Sequence, residues 1–315
     1  MIIMTETKTA KKATIKEVEL KPQVNLSPSS INAYIKCPRC YFYNYIAKLK
    51  QPKSIHLVKG SIVHEVLEYF FKGYKKGLKD NMFALFDKAW KKYDKALKDL
   101  ELAPEILEQE RIDAYNILHE YWISFERQMT SLMEAGKAEN ESHAYYLLKP
   151  KFRELYVKDE RLHCVGYIDR VHQDFDGYIT VADYKTSKRY GMGFPMDYVR
   201  QLAIYALLYK NQTGEMPDFA AVNFLRYGET DRIMVTPQIL EFARMTIEDI
   251  YSKTRTINIE DYPPTAGSSK WCAYADLHDG TDEWKQRLRL QKFQEKIKEE
   301  EDKEDESVRI EETKD

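Results

Sequence analysis

Near Ser142 the spacing of apolar residues changes from the three-and-four rhythm of a helix to the alternation of a strand, and this switch constrains the fold more than any other feature. Before it, Ile62, Val63, Val66, Leu67, Phe70 and Phe71 recur at helical spacing, in a helix expected to open at Ser61 and run through Tyr74. Further helices are predicted near 82–99 and 105–135, the second carrying the stripe Ile112, Tyr115, Leu118, Trp122, Phe125 and Met129. After it, Tyr145–Val157, Leu162–Gln173 and Tyr178–Tyr184 read as a meander of strands, with Asp176-Gly177 as a turn between the last two. A helix from Pro195 to about Asn211, strands Ala220–Tyr227 and Arg232–Val235 around Gly228, and a helix over 237–255 complete the pattern. Such interleaving predicts an α/β fold.

The ends read differently. Residues 1–24 are Lys, Thr and Glu with little apolar periodicity and are predicted to form a mobile leader. The last thirty residues are expected to be a charge-dense helix grading into an acidic tail, so that 25–280 forms the body and 281–315 an appendage. At the start of the body, Ser27 is a cap candidate and Pro28 suits a first helical turn, predicting a helix to about Lys36. Pro38 suits the first turn of a second helix, with Cys37 at the bend between the two.

With 43% hydrophobic and 13% aromatic residues, 315 residues can bury a substantial core. The 49 Lys and Arg nearly cancel the 51 Asp and Glu, so any attraction for phosphate has to be local. Apolar runs are short and broken by charges, which predicts a soluble, cytoplasmic protein with no membrane partner. The four cysteines are too few for a disulfide scaffold, and metal binding or plain burial is expected ahead of cross-linking.

The chemistry concentrates in Gly166-Tyr167-Ile168-Asp169-Arg170 and Ala182-Asp183-Tyr184-Lys185-Thr186. Side chains two apart on a strand share a face, so Asp183 and Lys185 emerge side by side. A tight turn at Asp176-Gly177 folds the preceding strand back and brings Asp169 near them. Facing carboxylates repel unless a cation or proton lies between them, and hard oxygen ligands favour Mg2+ or Mn2+. Two acids, a divalent ion and a lysine are the parts of a phosphodiester hydrolase. Spacing alone leaves open two ordinary acids at strand ends with a surface lysine.

This segment resembles the PD-(D/E)xK nuclease superfamily, whose signature is an acid followed after a variable gap by (D/E)-x-K, here Asp169 and then Asp183-Tyr184-Lys185. Its RecB-like exonuclease branch, which includes nuclease domains of recombination helicases and CRISPR adaptation exonucleases, adds G-x-x-x-H, matched by Gly60 and His64, and Q-x-x-x-Y, matched by Gln201 and Tyr205. A third match is the run Ser27-Pro28-Ser29-Ser30-Ile31 to Cys37-Pro38-Arg39.

The resemblance implies a restriction-endonuclease-like core, a mixed central sheet flanked by helices, with a helical insertion over about 75–140. It implies a metal held by His64, Asp169, Asp183 and the Tyr184 carbonyl, with Lys185 assisting the attacking water. Gln201 and Tyr205, four apart on a helix, would reach substrate or buttress the site. His64 is also expected in the first turn of its helix, where the dipole keeps the ring neutral.

The implied activity is DNA exonuclease action on single strands or free ends, in recombination, repair, replication or CRISPR adaptation. A helicase or an adaptation protein would be the partner, since the chain has no P-loop of its own. The alternatives are a catalytically idle DNA- or protein-binding relative, and a metal-free helical scaffold in which Asp169 and Asp183 are unrelated.

Many members of this branch clamp their ends with an iron-sulfur cluster held by four cysteines. Here Cys37 and Cys272 stand in place, but Ser269 and His278 occupy positions where thiolates would fall. Cys37, Cys40, Cys272 and His278 form an alternative Cys3His set suited to Zn2+ or to a cluster with one imidazole ligand, unless these are free, buried thiols. For substrate, Lys188, Arg189, Arg200 and Arg226 are phosphate candidates. Residues 36–53 mix Lys36, Arg39, Lys48, Lys50 and Lys53 with Tyr41, Tyr43 and Tyr45, either as a surface for single-stranded DNA or as a core helix with a solvated face.

Overall fold

The computed structural model describes residues 20–188, 194–267, 272–278 and 283–295. Most of the predicted leader, the acidic tail, Arg189 and Ser269 lie outside the described residues. In chain order the elements are α1 (Pro28–Lys36), α2 (Pro38–Tyr41) continuing into a π-helical Phe42–Ile46, α3 (Ile55–Phe70), α4 (Leu78–Lys92), α5 (Asp94–Lys98), α6 (Pro104–Glu134), α7 (Glu141–Leu148), β1 (Phe152–Asp159), β2 (Cys164–Gln173), β3 (Ile179–Lys185), α8 (Met196–Thr213), β4 (Phe219–Phe224), β5 (Glu229–Met234) and α9 (Pro237–Lys253). Residues 283–295 are helical. None of the described helices is long and apolar enough to cross a membrane.

The chain divides into two compact units. The larger holds Gln23–Lys36 and Pro52–Arg255. Its sheet has the order β1-β2-β3-β4-β5, antiparallel throughout except for the parallel pair β3–β4, and is therefore mixed. A parallel pair needs a crossover connection, and α8 supplies it. Every α8 residue from Gln201 to Tyr209 is buried, because the helix packs on the sheet and also against α1 and α9. Residues of α3, α4, α6 and α7 form one apolar cluster that also receives Tyr184 of β3. Ser27 caps α1 as its sequence predicts, accepting from the Ser30 amide at 3.2 Å.

Three expectations about the helices of this unit need correction. The helix expected to open at Ser61 opens at Ile55. Lys59 and Gly60 interrupt the apolar rhythm there, yet Lys59 is only 4% exposed because Glu110 and Asp113 of α6 pair with its ammonium. Residues 145–148, read as strand, belong to α7: Asn140 caps that helix by accepting from the His143 amide, and the Tyr145 hydroxyl donates to the Phe70 carbonyl at 2.7 Å. The stripe of α6 is rotated. Leu118, Trp122, Phe125 and Met129 are buried as read, but Ile112 and Tyr115 are exposed and Ala114, Ile117 and Tyr121 are buried with the others.

The smaller unit holds Cys37–Gln51 and the described residues from Thr256 onward, with 20–22. Its core is aromatic: Tyr41, Phe42, Tyr43, Tyr262 and Tyr274 are buried, with Trp284 edge-on to Phe42. Arg39 is also buried and donates to the Tyr262 carbonyl at 2.7 Å. Of the two readings of 36–53, this favours the core helix with a solvated face over the surface for single-stranded DNA, since Tyr41, Tyr43 and Arg39 are spent on the interior.

Candidate active site

The hairpin β2–β3 turns at Gly177, whose φ of 86° is one that glycine adopts freely. The Asp174 carboxylate braces the turn by accepting from the amides of Asp176 and Tyr178. The ladder between the strands runs from Gln173–Ile179 to Arg170–Ala182 and stops. Asp169 and Asp183 are the next residues on each strand. Where the ladder ends, Asp169 Oδ2 accepts from the Tyr184 amide at 2.6 Å, which fixes the carboxylate between the strands.

His64 lies in the third turn of α3, not the first, so the dipole of the helix start does not act on it. Its Nδ1 is 3.3 Å from Asp169 Oδ1. Burial works against charging the ring, but the nearby Asp169, Asp183 and Glu154 carboxylates outweigh it and push the His64 pKa up to about 9. The helix-start dipole expected to govern the ring is thereby corrected: the acids packed around His64, not the start of α3, set its affinity for a proton.

Lys185 Nζ stands 2.7 Å from Asp183 Oδ2. Gln201 of α8 joins the two, donating to Asp183 Oδ1 at 2.8 Å and accepting from Lys185 at 3.1 Å. Gln201 also contacts the Tyr205 hydroxyl at 3.2 Å. Both α8 residues are more than nine-tenths buried, a placement that favours buttressing over contact with substrate. Burial and the Asp169 charge push Asp183 up to about 6.

The residue that sequence reading missed is Glu154 of β1. One ligand atom each from His64, Glu154 and Asp169 lies within 4.8 Å of the others, while Asp183 falls outside that compact group. Burial and the same neighbouring acids push Glu154 up to about 7. Its backbone φ of 44° is one that side-chain-bearing residues seldom adopt, in the middle of an edge strand. No motif marks this position. Only the folded register places it: Arg153 pairs with Arg170 and Leu155 with Ile168, which sets Glu154 opposite Asp169.

His64, Glu154, Asp183, Tyr184 and Lys185 line one cleft of about 680 Å3, with Tyr69 and Tyr167 on its walls. Its donors are carboxylate oxygens and an imidazole whose acids are held high by burial and mutual repulsion. That set fits a hard divalent cation such as Mg2+ or Mn2+. The convergence also excludes a helical scaffold with two unrelated acids.

Among the phosphate candidates, Lys188 is exposed and Arg189 lies outside the described residues. Arg226 is engaged by the Asp113 carboxylate through both terminal nitrogens, and Arg200 donates to Asn32 Oδ1. In the smaller unit, Cys37, Cys40, Cys272 and His278 do come together. His278 Nε2 is 3.3 Å from Cys40 Sγ and 3.2 Å from Cys272 Sγ, and the Cys40 amide donates to Cys37 Sγ. Cys40 and Cys272 form a disulfide, against the expectation that cross-linking is the less favoured fate. The two residues are 232 apart in sequence, and only the fold brings their Cα atoms to 6.5 Å.

No curated protein matches the chain. Among solved structures it is similar to a protein from Eubacterium rectale described as a "Putative exonuclease", at 16% identity and a TM-score of 0.46, over 82% of this chain and 94% of that one. Residues 25–301 match the family described as the PD-(D/E)XK nuclease superfamily. With that match covering most of its length, the chain belongs to the PD-(D/E)XK nuclease superfamily.

Proposed function

We propose that this nuclease is a metal-dependent deoxyribonuclease of the RecB-like exonuclease type, acting on single strands or free DNA ends in recombination, repair, replication or CRISPR adaptation. A cytoplasmic location and a helicase or adaptation partner belong to the same reading. The observation that carries it is that Asp183, Glu154, Lys185 and His64 line one cleft, with Asp169 against His64 and Glu154 behind it.

In this reading Asp169, Asp183, His64 and the Tyr184 carbonyl hold the divalent ion, with Glu154 as an added carboxylate. A divalent ion held there would supply polarisation of a phosphodiester oxygen and a lower pKa for an attacking water. Lys185 orients that water and balances negative charge growing on phosphate. Gln201 keeps Lys185 and Asp183 at a fixed separation by bonding to both. The His64 nitrogen would serve as a ligand only in its deprotonated form, so cation and proton would compete for it. Lys188 and Arg189 are proposed to meet the substrate backbone.

The experiment is incubation of end-labelled single-stranded and duplex DNA with wild type, Asp183→Ala and Lys185→Ala, in Mg2+, Mn2+ or EDTA. Wild type degrades DNA from its ends only with a divalent ion, and each variant loses at least about a hundredfold in rate while still binding DNA. Equal degradation by all three proteins, or degradation in EDTA, overturns the reading.

A further inference from the structure

We infer that Tyr167, backed by Tyr156, forms a stacking subsite for one unpaired nucleobase next to the cleaved phosphate. The inference rests on the nuclease reading and narrows its substrate to a single strand whose bases are free to turn outward.

Tyr156 and Tyr167 are register partners on β1 and β2, with ring centroids 5.1 Å apart and planes 50° from each other. Tyr167 is two residues before Asp169 and lines the same cleft as His64, Glu154, Asp183 and Lys185. The two residues remain 45% and 58% exposed, Tyr156 and Tyr167 respectively, despite their rings contacting one another. A cross-strand aromatic pair that served only the sheet would gain most by burying both rings.

The other tyrosines of the cleft are differently used. Tyr69 has the Lys72 ammonium 3.5 Å over its ring, Tyr93 has that of Lys92 at 5.7 Å, and Tyr184 is buried among Tyr121 and His64. Tyr167 therefore presents a π surface to the cleft on the same face of β2 as Asp169, two residues and so roughly 7 Å along the strand. Every base has a π face, so such a platform binds without regard to sequence. A base inside a duplex already has both faces stacked and is closed to it.

The test uses short oligonucleotides carrying 2-aminopurine, whose emission is quenched by stacking, at either end in turn, with Ca2+ as the divalent ion. Wild type quenches the probe at one end. Tyr167→Phe keeps the π face and retains the quench, whereas Tyr167→Ala loses it and binds roughly tenfold more weakly. An abasic nucleotide in place of the probe weakens wild-type binding by the same factor, and Tyr167→Ala then adds no further loss. The abasic arm needs no variant, so it decides the matter even if Tyr167→Ala fails to fold.

Absence of quenching at both ends, unchanged binding to the abasic strand, or a full loss by Tyr167→Ala on that strand overturns the subsite. Failure of the nuclease reading shows separately, as intact labelled DNA in Mg2+ and Mn2+ with wild type.

Discussion

Gly166 shows how closely β2 and α8 meet at the level of one atom: an added Cβ would stand 2.9 Å from Tyr205 Cε1. The ring behind that contact bonds to Gln201, which in turn bonds to Asp183 and Lys185. Gly166→Ala is therefore expected to push Tyr205 away, cost about 1–3 kcal/mol of stability in urea titration, and lower turnover more than substrate affinity. His172 on β2 gives a separate pH signature. Burial, reinforced by Arg170, pushes its pKa down to about 4, so the folded protein prefers the neutral ring. The contribution of His172 is fully present above the unfolded value near 6.5 and is lost as pH falls from there through about 4. His172→Gln should flatten the stability profile in that window, as read from denaturation midpoints at successive pH values; an unchanged slope would exclude the effect. At this scale Asp169, Asp183 and Lys185 were legible because strand alternation and one glycine turn fix them relative to each other. Glu154 was not, since its approach depends on a φ of 44° and on a register that no local pattern encodes.

Between elements, one carboxylate ties the helical cluster to the end of β3. Asp113 of α6 pairs with Lys59 of α3 and with Arg226 just past β4, and Arg226 also donates to the Thr186 carbonyl beside Lys185. The Arg226 and Lys59 cations hold the Asp113 carboxyl well below the usual carboxylate range against the cost of its burial. Asp113→Asn leaves Lys59 with Glu110 alone and Arg226 with no counter-charge at that contact, so a loss of about 2–3 kcal/mol is expected, below that of a fully orphaned pair. Melting of purified wild type and variant checks this, and Asp113→Glu should recover part of the loss. The same network explains why the start of α3 was misread. Periodicity counts Lys59 as polar and outward, whereas ion pairing carries it inside. For α7, strand-like tyrosines concealed a helix that its Asn140 cap and its packing on α3 dictate. Apart from α7, the order of elements was readable because 3.6- and 2-residue rhythms survive wherever burial is one-sided; the boundaries were not, because tertiary partners set them.

Across the whole chain, segments distant in sequence have to meet before either half of the smaller unit has a core. Tyr274 donates to the Leu49 carbonyl, Arg39 to the Tyr262 carbonyl, and Lys50 accepts help from Gln291, whose side-chain oxygen receives the Lys50 amide at 2.8 Å. The Cys40–Cys272 bridge closes a loop of 232 residues across this same junction. A cross-link over a loop of that length removes much freedom from the unfolded chain and stabilises by about 2–4 kcal/mol where the folded geometry accepts it. His278 and Cys37 beside the bridge make the alternative plain: the same four residues, with both thiols reduced, offer three sulfurs and an imidazole to a metal. The two states exclude each other, because a sulfur in a disulfide has no thiolate to give. Thermal melts with and without dithiothreitol, on wild type and Cys40→Ser, separate them. With the bridge present, reductant lowers the wild-type midpoint toward that of Cys40→Ser and leaves the variant unmoved. If a metal holds the junction, zinc or iron accompanies the purified protein in a one-to-one ratio, chelator replaces reductant as the destabilising agent, and the disulfide assignment falls.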